Sequence, residues 1–163
     1  MSGINANDRE GCWIDLMALA GGDESHLFLD LMVVMYSLWA YNNHRPFRMV
    51  RPAKGPDGRP TGRASLLIED VAWGWLAARE NGVHRMICIP PGQVQRHMSF
   101  VGVRVSGSAD TPWPASPADW GEQIRSLIVN PEPALKNHLT GFVCTDIVGV
   151  MAGDLEQVWE ERA

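Results

Sequence analysis

Five histidines, three cysteines and one dense run of arginines are the residues best equipped for chemistry in this 163-residue chain. His26, His44, His84, His97 and His138 share no spacing that would bring two of them onto one metal ion. Cys12, Cys88 and Cys144 form neither a CxxC pair nor a disulfide framework, so reduced thiols in a cytoplasmic setting are the expectation. Cys88 lies close after His84, but a lone thiol near a histidine in a strand reads first as a small buried hydrophobe. Glu69 and Asp70 are adjacent on an expected strand, where neighbours point to opposite faces, so they are no acid–base couple. No GxSxG, P-loop GK[ST], GxGxxG or HExxH occurs. On this reading the protein is not an enzyme and carries no metal and no cofactor.

The arginines point elsewhere. Arg45, Arg48, Arg51, Lys54, Arg59 and Arg63 set six cations against the single acid Asp57. The whole chain holds 14 basic and 19 acidic residues, a net of −5, which disfavours a phosphate-rich partner. The distribution is uneven. From Arg45 to Arg104 ten basic residues meet four acidic ones, a net of +6, and the remainder carries −11. A basic middle between acidic ends admits RNA as a partner and says where it would bind, although a solvated face is the commoner fate of such a cluster.

Length and patterning bound the elements that would position these groups. The chain has room for one compact domain with its own core. Its N-terminus is polar and acidic, unlike a targeting signal, and its longest apolar run, Leu27 to Trp39, contains Asp30 and is too short to span a bilayer. Residues 12–19 read as a strand. Phe28, Leu31, Met32, Met35, Leu38 and Trp39 recur at helical spacing and predict a long helix from Ser25 to about Tyr41. Further strands are expected at 48–50, 65–71, 86–89, 99–105 and 123–129, with a Gly- and Pro-rich turn at 54–63. Residues 142–150 fit a last strand or a packed loop, and Asp154 opens a closing helix with Gln157 at a capping-box position. The class is α+β: a mixed or antiparallel sheet of five or six strands, one long helix packed on it, and a C-terminal strand–helix segment docking back. The expected organisation is a core over 1–105, a linker over 106–118 and a C-terminal segment over 119–163.

Four stretches carry a resemblance. Ala20-Gly21-Gly22-Asp23-Glu24-Ser25, opening the long helix, is similar to the GGTEA or GGDEA of the bacterial class-one peptide-chain release factors, especially the type that reads UAA and UGA. WLAARENGVHR (75–85) resembles their segment ending in GVHR, Arg96-His97-Met98-Ser99-Phe100 their RHTSF, and WGEQIRS (120–126) their WGxQIRS. The four are colinear over nearly the whole chain.

The resemblance implies a decoding-domain core with its C-terminal segment. Gly21 and Glu24 match the residues that face the first stop-codon base, and His97 matches the histidine that stacks between the second and third. The departures matter as much. The recognition tripeptide, SPF in the UGA-reading type, aligns with Pro90-Pro91-Gly92, without hydroxyl or aromatic ring. The following threonine is Met98, whose thioether cannot donate a hydrogen bond. Residues 106–118 stand where the family has its catalytic domain, and no GGQ occurs in the sequence. The expectation is a non-catalytic homologue that binds the ribosome or RNA through Gly21, Glu24, Pro90, Pro91, Gly92, Arg96, His97 and Met98. The alternative is a protein-interaction or regulatory module on the same scaffold. Each residue also has a plainer reading. Gly21-Gly22 suits a tight turn, Glu24 suits a first helical turn, and Arg85 would pair with a carboxylate such as Glu80.

Overall fold

The computed structural model describes residues 11–159. Eight strands form one sheet in the order β2-β3-β1-β5-β4-β6-β7-β8. They are β1 (Gly11–Ala18), β2 (Phe47–Arg51), β3 (Arg63–Glu69), β4 (Gly82–Cys88), β5 (His97–Ser106), β6 (Gln123–Ile128), β7 (Ala134–Asn137) and β8 (Val143–Cys144). β4 and β6 run parallel and every other pair is antiparallel.

Four α-helices accompany the sheet in the described residues, α1 (Gly22–Asn42), α2 (Trp73–Glu80), α3 (Ile147–Met151) and α4 (Glu156–Trp159), with one 3-10 turn at Pro117–Trp120. The core lies between α1 and the central strands. Cys12, Ile14 and Leu16 of β1, Leu66 and Ile68 of β3, and Val101 and Val103 of β5 alternate onto one face, against Phe28, Met32 and Tyr36 of α1. The opposite face of the central strands meets residues 107–122, which cross it as a strap. Arg104 holds the strap by donating to the carbonyls of Thr111 (3.0 Å) and Pro112. Trp120 lies flat enough on Gly102 that a Cβ there would sit 2.3 Å from the indole, so only glycine fits.

The α+β class is as the sequence implies, with α2, β7 and α3 unread and β4 longer than expected. α2 buries only Leu76 and Glu80 and leaves Trp73 and Trp75 exposed, so it shows no apolar period. β4 starts at Gly82 rather than Met86, because its inward positions are Gly82, His84 and Met86 and the buried histidine masks the alternation. β7 is four residues long and follows prolines 131 and 133. Residues 142–150 divide into the short β8 and α3, which starts where Gly149 N–H donates to the Asp146 carboxylate at 3.0 Å. The closing helix begins at Glu156, and Gln157 donates to Asp154 (2.7 Å) and Asp146 (3.0 Å) instead of forming a capping box. No described helix is long and apolar enough to cross a membrane.

Candidate recognition surface

One end of the sheet gathers the helix start and the β4–β5 hairpin. After β1 the chain turns through Leu19–Gly22 into α1, stitched to β5 by Leu19 N–H to the Phe100 carbonyl (2.8 Å) and Phe100 N–H to the Ala20 carbonyl (2.9 Å). Gly21 has φ 126°, and a Cβ there would meet Ser99 Cα at 2.7 Å. Glycine is therefore demanded by both backbone angle and space. That close approach sets Glu24, in the first turn of α1, against His97 at the start of β5, with Oε1 to Nδ1 at 3.5 Å. Both side chains remain about a third exposed (32% and 37%), so they keep hydrogen-bonding and stacking capacity for a ligand.

His97 pairs with Cys88 across the base of the hairpin. The hairpin carries Pro90, Pro91 and Gly92 in a turn closed by Gln93 N–H to the Pro90 carbonyl (3.1 Å), then exposed Arg96. Its base is pinned by Asn130, which accepts from Ile89 N–H at 2.6 Å and donates to the Ile89 carbonyl at 3.0 Å. Met98 is exposed, with its sulfur 4.0 Å from the Arg85 guanidinium. Burial and the negative charge of Glu24 push the Cys88 thiol up, which works against a thiolate nucleophile. Among the described residues, no group of three or more His, Cys, Asp or Glu could hold a metal. The rim offers a carboxylate acceptor, an imidazole face and a nearby cation, the groups that read unstacked bases.

The six cations are not one patch. Arg45 lies beyond the far end of α1, about 31 Å away by helix rise, and donates to the Asp70 carbonyl. Arg48 and Arg51 sit on the fully exposed edge strand β2. Arg51 and Arg63 turn their guanidinium groups over Trp113 of the strap, at 5.6 and 5.1 Å from the ring centre. The turn holding Lys54 and Arg59 leaves the sheet at the same end as the rim, since Ala18 N–H donates to the Gly62 carbonyl (2.8 Å) and Gly62 lies beside His26.

A second cluster, which the sequence reading missed, is buried at the other end of the sheet. Glu80 accepts from Arg125 at 2.7 and 2.6 Å, from the Tyr36 hydroxyl at 2.6 Å and from Trp159 Nε1 at 2.9 Å. Arg125, not Arg85, is thus the partner of Glu80; Arg85 donates to Ser126 Oγ at 3.1 Å. Burial alone would raise the Glu80 carboxyl, but the Arg125 guanidinium holds it below the usual carboxylate range. Beside it His84 is pushed down to about 4 by burial and by the positive charge of Arg125. Its Nε2 lies 2.9 Å from the Glu80 carbonyl oxygen. The available signal was that Glu80 and Arg125 sit within two of the four resembling stretches.

The sheet, the long helix entered through a double glycine, and the hairpin beside it define a scaffold of the release-factor decoding type. Release factor 2 of Thermus thermophilus superposes with a TM-score of 0.72 over 92% of this chain and 66% of that one, at 18% identity, which establishes the shared fold. Residues 1–103 match the PCRF domain, and the chain belongs to this family, that of the bacterial class-one release factors. Peptide chain release factor 2 of Chlamydia muridarum is 36% identical over 108 residues, 63% of this chain and 28% of that protein. The Acidithiobacillus ferrooxidans protein of the same name is 30% identical over 118 residues, covering 70% and 32%. The shared part is thus about a third or less of those relatives' length.

Proposed function

We propose that this protein is a non-catalytic release-factor homologue that binds the ribosome or RNA through the rim formed by Gly21, Glu24, His97 and the 89–96 hairpin. The observation that carries the reading is the Glu24–His97 pair, held at 3.5 Å and about a third exposed beside the forced glycine at 21. A partly exposed pair of this kind adds little to stability, and it lies next to exposed Arg96 in the chain. Lys54, Arg59 and Arg96 supply phosphate contacts, and Glu24 and His97 meet bases. Hydrolysis of peptidyl-tRNA is not expected, because no GGQ loop exists in the sequence to place water at the ester.

Binding to ribosomes and to single-stranded RNA at low salt tests this directly. Micromolar affinity that falls with salt, and no peptide release from loaded ribosomes, are expected. Absence of binding to both at micromolar protein overturns the reading. A second reading, capture of a protein partner by the same rim, draws on the exposed Val94 and Met98 of the hairpin region. Nuclease-resistant recovery of one partner from lysate, lost on Glu24→Gln, would favour it.

A further inference from the structure

Helix α1 has two apolar faces, and the described residues bury one of them. Phe28, Met32, Tyr36 and Trp39 point into the core, each 4% exposed or less. On the opposite side run Leu27, Leu31, Val34, Leu38 and Tyr41. Leu27, Val34 and Tyr41 are 54%, 50% and 69% exposed, and Leu31 and Leu38 are half-buried. Single exposed apolar residues are ordinary, but these five are spaced by four, three, four and three residues. At 100° per residue they fall within a stripe about 80° wide, roughly 21 Å long, which is the seam geometry of paired helices. A continuous apolar stripe on an otherwise polar surface marks an interface.

The charges along α1 identify the partner. Asp23, Glu24 and Asp30 lie in its first half, and no charged residue falls between Leu31 and Asn43. His44 and Arg45 follow its end. A parallel copy would set three acids against three acids. An antiparallel copy brings each acidic start to the other's His44 and Arg45, opposes the helix dipoles favourably, and lays the uncharged seam on itself.

We infer that two copies of this chain associate through antiparallel α1 helices, with Val34 near the two-fold axis and Leu27 facing Tyr41 of the second copy. The seam is short, so association is concentration-dependent in the micromolar range. The acidic start that meets the second copy's His44 and Arg45 includes Glu24, so the end of the seam lies beside the rim, whereas Val34 at its centre lies about 15 Å along the helix from Glu24.

Sedimentation velocity of the 163-residue chain between about 1 and 200 µM tests it. A rising dimer fraction is expected. Val34→Glu should weaken it at least tenfold with an unchanged urea midpoint, since Val34 lies outside the core, and Val34→Leu should keep it. A chain monomeric throughout, or a dimer indifferent to Val34→Glu, overturns the proposal. Orientation is read by oxidising an equimolar mixture of Leu27→Cys and Tyr41→Cys, each on a Cys88→Ser background. Mixed disulfide dimers should dominate, and a preference for like-with-like dimers overturns the antiparallel arrangement.

Discussion

Glu80 and Glu24 each face a basic side chain, in opposite settings. Glu80 is fully buried and accepts four hydrogen bonds from Arg125, Tyr36 and Trp159, joining β6, α1 and α4 to the end of α2. Glu24 is a third exposed and meets His97 at 3.5 Å. Burying a charge is tolerable only when its lone pairs are engaged, so the carboxylate of the first cluster has its hydrogen bonds already committed. The second keeps most of its hydrogen-bonding capacity unspent. The motifs divide the same way. The segment ending in GVHR and the WGEQIRS stretch supply the lock, whereas GGDES and RHMSF supply the rim. Similarity to the family thus has two physical causes, and one of them is only that the sheet must close.

The difference can be broken at several points. Arg125→Met leaves Glu80 charged and buried, and should cost about 3–5 kcal/mol in urea unfolding. A loss below about 1 kcal/mol would show that the cluster is no lock. Acid should act on the same end. His84 is held at about 4 in the fold against 6.5 for the free side chain. The unfolded chain therefore binds the extra proton first as pH falls, so stability is fully present above pH 6.5 and declines through pH 4. The loss is about 3 kcal/mol at 1.4 kcal/mol per pH unit. Depression of the Glu80 carboxyl adds to the decline in the same direction, below its unfolded value. Unfolding free energies for His84→Gln should show a visibly flatter profile over that window.

Gly21→Ala should cost about 1–3 kcal/mol, because the new Cβ meets the Ser99 backbone at a positive φ. It should weaken RNA or ribosome binding as well, since it parts the helix start from β5. Smallest in stability is Glu24→Gln, at under about 1 kcal/mol for a partly exposed pair. That variant should nevertheless change affinity for RNA or ribosomes several-fold. Equal binding by Glu24→Gln and the parent protein would return Glu24 to the role of a helix-start acid.

How much of this was legible depends on where each signal lies. α1 announced itself because Phe28, Met32, Met35 and Trp39 recur on one face, and β5 because Val101, Val103 and Val105 alternate. The Gly21–Glu24–His97 juxtaposition was reachable only through resemblance, since 73 positions separate Glu24 from His97 and no local pattern links them. α2 stayed hidden because it turns two tryptophans outward and a glutamate inward. The Glu80–Arg125 pair spans 45 positions, and its burial follows from sheet closure rather than local composition. The dispersal of the basic run was equally unreadable. Residues adjacent along the chain from Arg45 to Arg63 are divided among a helix exit, an edge strand, a turn and the start of β3.

The strap between β5 and β6 has one more consequence. Val105 N–H donates to the Asn81 side chain at 2.6 Å and Gln123 pairs with Val83, so the strap leaves and re-enters near the start of β4. β6 is held by β4, β7 and Glu80, none of which senses how much chain lies between Ser106 and Gln123. Doubling the length of such a connection adds only about 0.6 kcal/mol of closure entropy. Closure of the sheet at this point is therefore nearly indifferent to the length of the crossing, and what ties this strap down is its own packing through Trp120 and Arg104.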